Sequence, residues 1–103
     1  GKTAAFALPL LHRIDASIRA PQILVLAPTR ELAIQVSEAF EKYGAAIKGL
    51  RVMAICGGQN YEQQFRQLNR LPQVIVGTPG RLIDLVQRGS LDLTSVRCVV
   101  LDE

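Results

Sequence analysis

The chain has 103 residues, enough for one domain, and its 49% hydrophobic and 20% charged residues are typical of a globular protein and exclude a disordered one. Its net charge of +3 fits a polyanionic partner but is too small to demonstrate one. No apolar run approaches the roughly 18 residues of a membrane span, and the start lacks the features of a signal peptide, so we expect a cytoplasmic protein with no membrane partner.

The first three residues, Gly1, Lys2 and Thr3, have the form of the end of a phosphate-binding loop, GxxxxGK[ST]. From residue 3 to about residue 14, apolar residues recur every four positions, which predicts a helix with a wide buried face. If these residues open that helix, its free N–H groups face an anion, Lys2 adds charge on the phosphates and the Thr3 hydroxyl ligates Mg²⁺. The alternative is a chance tripeptide, because the five preceding positions of the motif are not in this sequence.

The run ILVLA, residues 23–27, predicts a buried strand, and PTRELAIQ, residues 28–35, predicts the start of a second helix. Thr29 is the expected N-cap, Glu31 lies in the first turn, and Gly44 ends the helix. Arg30 therefore follows directly on a strand exit.

The run LRVMAIC, residues 50–56, predicts the next strand, and Gly57 and Gly58 follow it at once. Paired glycines at a strand end permit either a tight turn or the close approach of another chain, and the spacing leaves both open.

A third helix is predicted after the glycine pair, because Asn60 with Gln63 resembles a capping box. Its buried stripe is expected to be apolar: Tyr61, Phe65 and Leu68. Its polar face is expected to be solvated: Gln64, Arg66, Gln67 and Arg70.

The run QVIVG, residues 73–77, predicts another strand, with TPGR, residues 78–81, as its exit. Thr78 as N-cap and Pro79 at the first helical position are typical of a helix start. The apolar residues expected to line this helix until Gly89 ends it are Leu82, Ile83, Leu85 and Val86.

The final stretch, RCVVLDE, residues 97–103, predicts a strand that is buried on both faces and ends in two adjacent carboxylates. Asp102 and Glu103 suit a metal ion and a water molecule. Cys56 and Cys98 each lie in an apolar run without ligand spacing, so we interpret both as reduced core residues. His12, the one histidine, is expected to face solvent.

Four apolar runs separated by helices predict repeated βαβ units, hence an α/β fold with a parallel sheet and helices on both faces. Ligands of such sheets bind at the carboxyl ends of the strands. We therefore expect Lys2 and Thr3 to meet Asp102 and Glu103 at one site. The phosphate loop also implies a further strand before Gly1.

The segments GKT, PTRELAIQ, the glycine pair, TPGRLID and VLDE occur in the order and spacing of the DEAD-box RNA helicases, and the chain resembles that family. The resemblance implies that residues 1–103 are a piece of the N-terminal RecA-like, ATP-binding P-loop domain. The stretches APQILVLAPTRELA and GSLDL are most similar to the bacterial cold-shock type of the family.

The resemblance implies that ATP and Mg²⁺ are the cofactors. Gly1, Lys2 and Thr3 would bind ATP, with Lys2 on the β and γ phosphates. Thr3 would hold Mg²⁺ directly and Asp102 would reach it through water, while Glu103 would orient and deprotonate the attacking water.

The resemblance also implies that RNA is bound through its backbone, independently of base sequence. The residues that match the family's RNA-binding motifs are Pro28, Thr29, Arg30, Gly57, Gly58, Thr78, Pro79, Gly80 and Arg81. Two alternatives remain: the threonines are helix caps only, and the arginines are ordinary surface residues.

The implied activity is that of an RNA helicase, which couples ATP binding and hydrolysis to duplex unwinding with the help of a second RecA-like domain. Because that domain is not in this sequence, we expect the 103 residues alone to bind ATP poorly and to hydrolyse essentially none. The alternatives are a non-catalytic RNA-binding fragment and a DNA helicase or other P-loop ATPase.

Overall fold

A computed structural model describes residues 2–102, with side chains from residue 3 onwards. Helices and strands alternate along the chain. Their bounds are α1 (Lys2–Leu11), β1 (Ile23–Leu26), α2 (Arg30–Tyr43), β2 (Val52–Ile55), α3 (Tyr61–Leu68), β3 (Val74–Gly77), α4 (Pro79–Gln87) and β4 (Cys98–Leu101).

The four strands form one parallel sheet in the order β2-β3-β1-β4. The register aligns the last residue of each strand with the last residue of its neighbour: Leu26 pairs with Gly77 and with Leu101, and Ile55 pairs with Gly77. The carboxyl ends of all four strands are therefore level, and this edge is called the carboxyl edge below.

Helices cover both faces of the sheet, as predicted. Alternating strand residues such as Val25 and Val76 pack with α1 and α2 in one core cluster, where Phe40 is fully buried. The residues between them, such as Leu24 and Ile75, pack with α3 and α4 in a second cluster. Strands buried on both faces account for the continuous apolar runs in the sequence.

The predicted helix boundaries of α2 and α3 are confirmed by their caps. The Thr29 hydroxyl accepts a hydrogen bond from the Leu32 N–H at 3.2 Å, and the Gly44 N–H donates to the Phe40 carbonyl at 2.9 Å. The Asn60 side chain accepts from the N–H of Glu62 at 2.8 Å. Each cap satisfies backbone groups that have no partner inside the helix.

The predicted extent of α1, to about residue 14, was too long, because the helix ends at Leu11. Beyond it, the buried Gln22 side chain holds the loop in a non-helical path: its amide donates to the carbonyls of Asp15 and Ile18 at 2.8 and 3.1 Å. Ile14 still packs against the first core cluster.

The prediction that the last strand is buried on both faces is wrong. Val99 and Leu101 are 58% and 70% exposed, because β4 is an edge strand and no helix in residues 2–102 covers that part of its face. Similarly, Ile83 and Val86 of α4 are exposed, whereas Leu82 and Leu85 line the core.

The predictions of a buried Cys56 and an exposed His12 are confirmed, whereas Cys98 is only partly buried. Cys56 is a buried free thiol, Cys98 is a half-buried free thiol, and His12 is exposed. No helix within residues 2–102 combines the length and apolarity that a membrane crossing needs.

Candidate functional site

The carboxyl edge carries almost all of the residues selected from the sequence. Because the strand ends are level, the segments that leave them emerge side by side: residues 56–60 after β2, 78–81 after β3, 27–30 after β1, and Asp102 after β4. Adjacent strands lie about 4.8 Å apart, so β2 and β4 are separated by about 14 Å. The edge is wide enough for two neighbouring ligands, with β1 between them.

Asp102 lies at the β4 end of this edge. Its backbone N–H donates to the Leu26 carbonyl at 2.9 Å, which extends the pairing of β4 with β1 by one residue, and its side chain is half-buried. The carboxylate is thus placed directly beside the exit of β1.

Helix α1 runs back from the carboxyl edge towards the amino ends of the strands. Leu10 and Ile14, near and beyond its end, surround a cavity together with Ile23 and Cys98, the first residues of β1 and β4. Ten helical residues span about 15 Å and four strand residues about 13 Å. The start of α1, with Thr3 in its first turn, therefore lies near the level of the edge that carries Asp102.

The groups at the start of α1 and at Asp102 suit a magnesium nucleotide. A helix N-terminus offers free N–H groups to phosphate, and hydroxyl and carboxylate oxygens are the donors that Mg²⁺ prefers. Within residues 2–102 no group of three or more His, Cys, Asp or Glu side chains could enclose a metal ion. Gly1, Glu103 and the Lys2 side chain lie outside the described part.

Arg30 and Gly58 face each other across the exits of β1 and β2. The Arg30 Nη1 lies 3.8 Å from the position that a Cβ on Gly58 would occupy, and Gly58 has a φ of +84°, which favours glycine. Arg30 is exposed, and its guanidinium makes no hydrogen bond to any group in residues 2–102. Its charge is therefore available to a ligand at this edge.

Thr78 connects the exits of β2 and β3. It occupies the N-cap position of α4, but its hydroxyl caps no helical N–H and instead accepts a hydrogen bond from the Gly57 N–H at 3.2 Å. The predicted N-cap position of Thr78 is therefore confirmed, but its side chain makes no cap hydrogen bond, whereas that of Thr29 does. The Gly57 N–H already has a partner within the protein.

Arg81 is anchored to the loop after β2. Its Nη1 donates to the Gln59 carbonyl at 2.9 Å and to the Gln64 side-chain oxygen at 2.8 Å. Its guanidinium carbon lies 4.0 Å from the centroid of the Tyr61 ring, within range of a cation–π contact. Arg81 is half-buried, so it is not an ordinary surface arginine.

Gln64 was predicted to be solvated, and that prediction is wrong, because only 1% of the residue is exposed. Its amide donates to the Cys56 carbonyl at 3.3 Å and to the Gln59 side-chain oxygen. The sequence did contain a signal: position 64 lies three residues after Tyr61 and four before Leu68, which places it on the buried face of α3.

Asp84 holds the Tyr61 side chain through a hydrogen bond to its hydroxyl. It accepts hydrogen bonds from the Tyr61 hydroxyl and from Arg88 Nε, the latter at 3.1 Å. These two bonds, the tyrosine's first, hold the pKa of the Asp84 carboxyl below its usual range. The Arg88 guanidinium carbon also lies 4.5 Å from the ring centroid.

Cys56 lies beneath the arginines. Burial raises the pKa of its thiol, and the positive charges of Arg30 and Arg81 partly oppose that rise. Both guanidinium groups therefore lie close enough to influence the same thiol.

The family assignment follows from comparison with known proteins. The family model described as DEAD/DEAH box helicase matches residues 1–103. The chain belongs to this family.

The chain is 58% identical over 103 residues to the ATP-dependent RNA helicase DeaD of Klebsiella pneumoniae and 56% identical to DeaD of Escherichia coli K12. Both alignments cover 100% of this chain but 16% of the relative. The chain thus spans about a sixth of the length of these relatives. The predicted similarity to a bacterial type of the family is confirmed.

Solved structures confirm the RecA-like fold. A DEAD box protein from the hyperthermophile Methanococcus jannaschii superposes with a TM-score of 0.91 at 40% identity, covering 100% of this chain and 28% of that chain. Saccharomyces cerevisiae Dbp5 bound to RNA and ADP BeF3 superposes with a TM-score of 0.83 at 37% identity, covering 100% of this chain and 25% of that chain.

Proposed function

We propose that residues 1–103 are a piece of the N-terminal RecA-like domain of an ATP-dependent RNA helicase, which couples ATP binding and hydrolysis to unwinding and remodelling of RNA duplexes. One observation carries the proposal: a carboxylate suited to a magnesium nucleotide, Asp102, and two arginine-bearing loops leave the same level edge of one parallel sheet. The names of the relatives agree with it.

In this proposal the nucleotide lies at the β4 side of the carboxyl edge. Gly1, Lys2 and Thr3 bind the phosphates, with the lysine charge on the β and γ groups. Thr3 and Asp102, the latter through water, would hold Mg²⁺, which supplies charge neutralisation on the phosphates. Glu103 orients the attacking water and accepts its proton. This chemistry is positioning and electrostatic stabilisation, so removing Lys2 or Glu103 should cost rate more than folding.

RNA lies at the β1–β3–β2 side of the same edge. The N-termini of α2 and α4 offer N–H groups to phosphate oxygens, and Arg30 and Arg81 add positive charge. The full set proposed to contact RNA is Pro28, Thr29, Arg30, Gly57, Gly58, Thr78, Pro79, Gly80 and Arg81. Helix ends and arginines at a backbone do not read base edges, so binding is independent of sequence.

A second RecA-like domain of the whole helicase completes the site from the opposite side. The whole helicase works in the cytoplasm. The 103 residues alone then bind ATP poorly and hydrolyse essentially none, because the second domain supplies further ligand contacts. Isothermal titration calorimetry of the isolated chain tests this point, and a micromolar ATP affinity would contradict it.

The test of the proposed function is the ATPase activity of the whole helicase with single-stranded RNA and with single-stranded DNA. We expect stimulation by RNA, and a loss of about 10²-fold or more in Lys2→Ala and Glu103→Gln. Lys48→Ala and Glu38→Gln are matched controls, because both residues are exposed and far in sequence from the edge segments. Activity that survives Glu103→Gln would refute the catalytic assignment, and stimulation by DNA alone would indicate a DNA helicase.

A further inference from the structure

We infer that Gln64 is a positioning residue for RNA binding, which acts by fixing the loop after β2 and by orienting Arg81. The inference rests on the proposed function, since it concerns how the RNA side of the carboxyl edge is held. Gln64 itself is too buried to contact RNA, at 1% exposure.

Both the nitrogen and the oxygen of the Gln64 side-chain amide make hydrogen bonds. The nitrogen donates to the Cys56 carbonyl and to the Gln59 side-chain oxygen, and the oxygen accepts from Arg81 Nη1 at 2.8 Å. No buried side-chain polar atom in the described residues lacks a partner. A glutamine whose donors and acceptor all have dedicated partners can occupy only one orientation.

The first effect of this arrangement is on the loop of residues 57–60. The Gln59 side-chain oxygen also accepts from the Cys56 N–H at 3.0 Å, so Gln64 and Gln59 close a ring of bonds beneath Gly57 and Gly58. Glycines have wide conformational freedom, and this ring selects one conformation, in which Gly58 keeps its φ of +84°.

The second effect is on Arg81. A guanidinium carries five N–H donors, and the two bonds to Gln59 and Gln64 both use Nη1. Within residues 2–102, Nε and Nη2 make no hydrogen bond, and Tyr61 packs against the plane of the group. The protein thus holds the Arg81 guanidinium at Nη1 and leaves the N–H groups of Nε and Nη2 for a phosphate.

The two effects together join the exits of β2 and β3 into one unit. The Gly57 N–H bond to the Thr78 hydroxyl links the same two segments at a second point. Without the Gln64 amide, Arg81 loses its side-chain acceptor and the buried Cys56 carbonyl loses a donor, so both segments are held less firmly.

The experiment compares three variants of the whole helicase. Gln64→Met keeps the volume and removes every hydrogen bond, and Gln64→Glu keeps an acceptor for Arg81 but removes the donors. Gln67→Met is the matched control, because Gln67 lies on the same helix, is exposed, and makes no side-chain hydrogen bond within residues 2–102. RNA affinity is measured by fluorescence anisotropy of a labelled single strand and by the RNA concentration that gives half-maximal ATPase activity.

We expect Gln64→Met to weaken RNA binding about tenfold, which corresponds to the loss of one charge-assisted hydrogen bond. Gln64→Glu should weaken it about threefold, and Gln67→Met less than twofold. The KM for ATP and the kcat at saturating RNA should change less than threefold, whereas a merely structural role would raise the KM, lower the kcat and lower the unfolding temperature. Equal RNA affinity in Gln64→Met and wild type would overturn the inference.

A double-mutant cycle with Arg81→Met tests whether Gln64 acts through the arginine. If it does, Gln64→Met adds less than twofold when Arg81 is already replaced, and effects that multiply would overturn that mechanism. If Gln64→Met does not fold, Gln64→Glu decides in its place, and an RNA affinity equal to wild type in that variant overturns the inference. A wild-type helicase without RNA-stimulated ATPase activity would instead refute the proposed function.

Discussion

Replacing Gly77 by alanine should push apart two strand ends at the carboxyl edge. A Cβ at this position would lie 2.6 Å from the Ile55 carbonyl oxygen and 2.9 Å from Leu82 Cγ. The leucine can rotate, but the carbonyl is backbone of the neighbouring strand and also accepts the Thr78 N–H at 2.9 Å. Relief of the contact therefore moves β2 or β3, and overpacking of this kind costs about 1–3 kcal/mol in the free energy of unfolding.

The assay is denaturant unfolding of the complete first RecA-like domain, with Gly80→Ala as the control. A Cβ on Gly80 meets nothing within 4 Å, and the residue lies in the first turn of α4. We expect that variant to be unchanged or up to about 1 kcal/mol more stable, because alanine loses less chain entropy than glycine. If Gly77→Ala unfolds within about 0.5 kcal/mol of wild type, the close strand contact does not constrain this edge.

Three further predictions concern charge and thiol chemistry. Arg30→Met should lower the slope of log affinity for single-stranded RNA against log salt by about 0.7, as expected for one lost phosphate contact, and an unchanged slope in anisotropy titrations would remove Arg30 from the interface. The pKa of Asp84 is lower in the folded state than in the unfolded state, so its ionised form stabilises the fold above about pH 4. That contribution disappears as the pH falls through the folded pKa. Between about pH 5 and pH 3 wild type should therefore lose more stability than Asp84→Asn, and parallel profiles of unfolding free energy against pH would contradict this. At about pH 8, iodoacetamide should label the half-buried Cys98 before the buried Cys56, whose pKa is raised, and mass spectrometry showing the reverse order would be inconsistent with the burial of Cys56.

The sequence was sufficient for the elements that depend on local pattern. The runs at residues 23–27, 50–56, 73–77 and 97–101 each contain a strand of the parallel sheet, because β-branched apolar runs between helices have few other structures open to them. Thr29 and Asn60 cap the predicted helices, because capping needs only residues near in sequence.

Features that depend on distant neighbours were not predictable in the same way. Val99 is as apolar as Val25, yet it is exposed because no helix in residues 2–102 covers that part of β4, and which faces are covered is not encoded in a local run. The burial of Gln64 depends on Arg81, seventeen residues away, which supplies the donor for its oxygen. The positions of the site were predictable from sequence motifs, whereas the hydrogen bonds that hold them join residues distant in sequence and depend on the three-dimensional fold.

The position of β1 between β3 and β4 links the two sides of the carboxyl edge. On one flank the Leu26 carbonyl holds the Asp102 N–H, and on the other the Ala27 N–H holds the Gly77 carbonyl, each at 2.9 Å. A single peptide unit, the one that joins Leu26 to Ala27, therefore bridges the Asp102 end of one neighbour and the TPGR turn of the other. A displacement of this peptide unit is shared by both flanks at once, so in the proposed function it would couple the nucleotide side of the carboxyl edge to the RNA side.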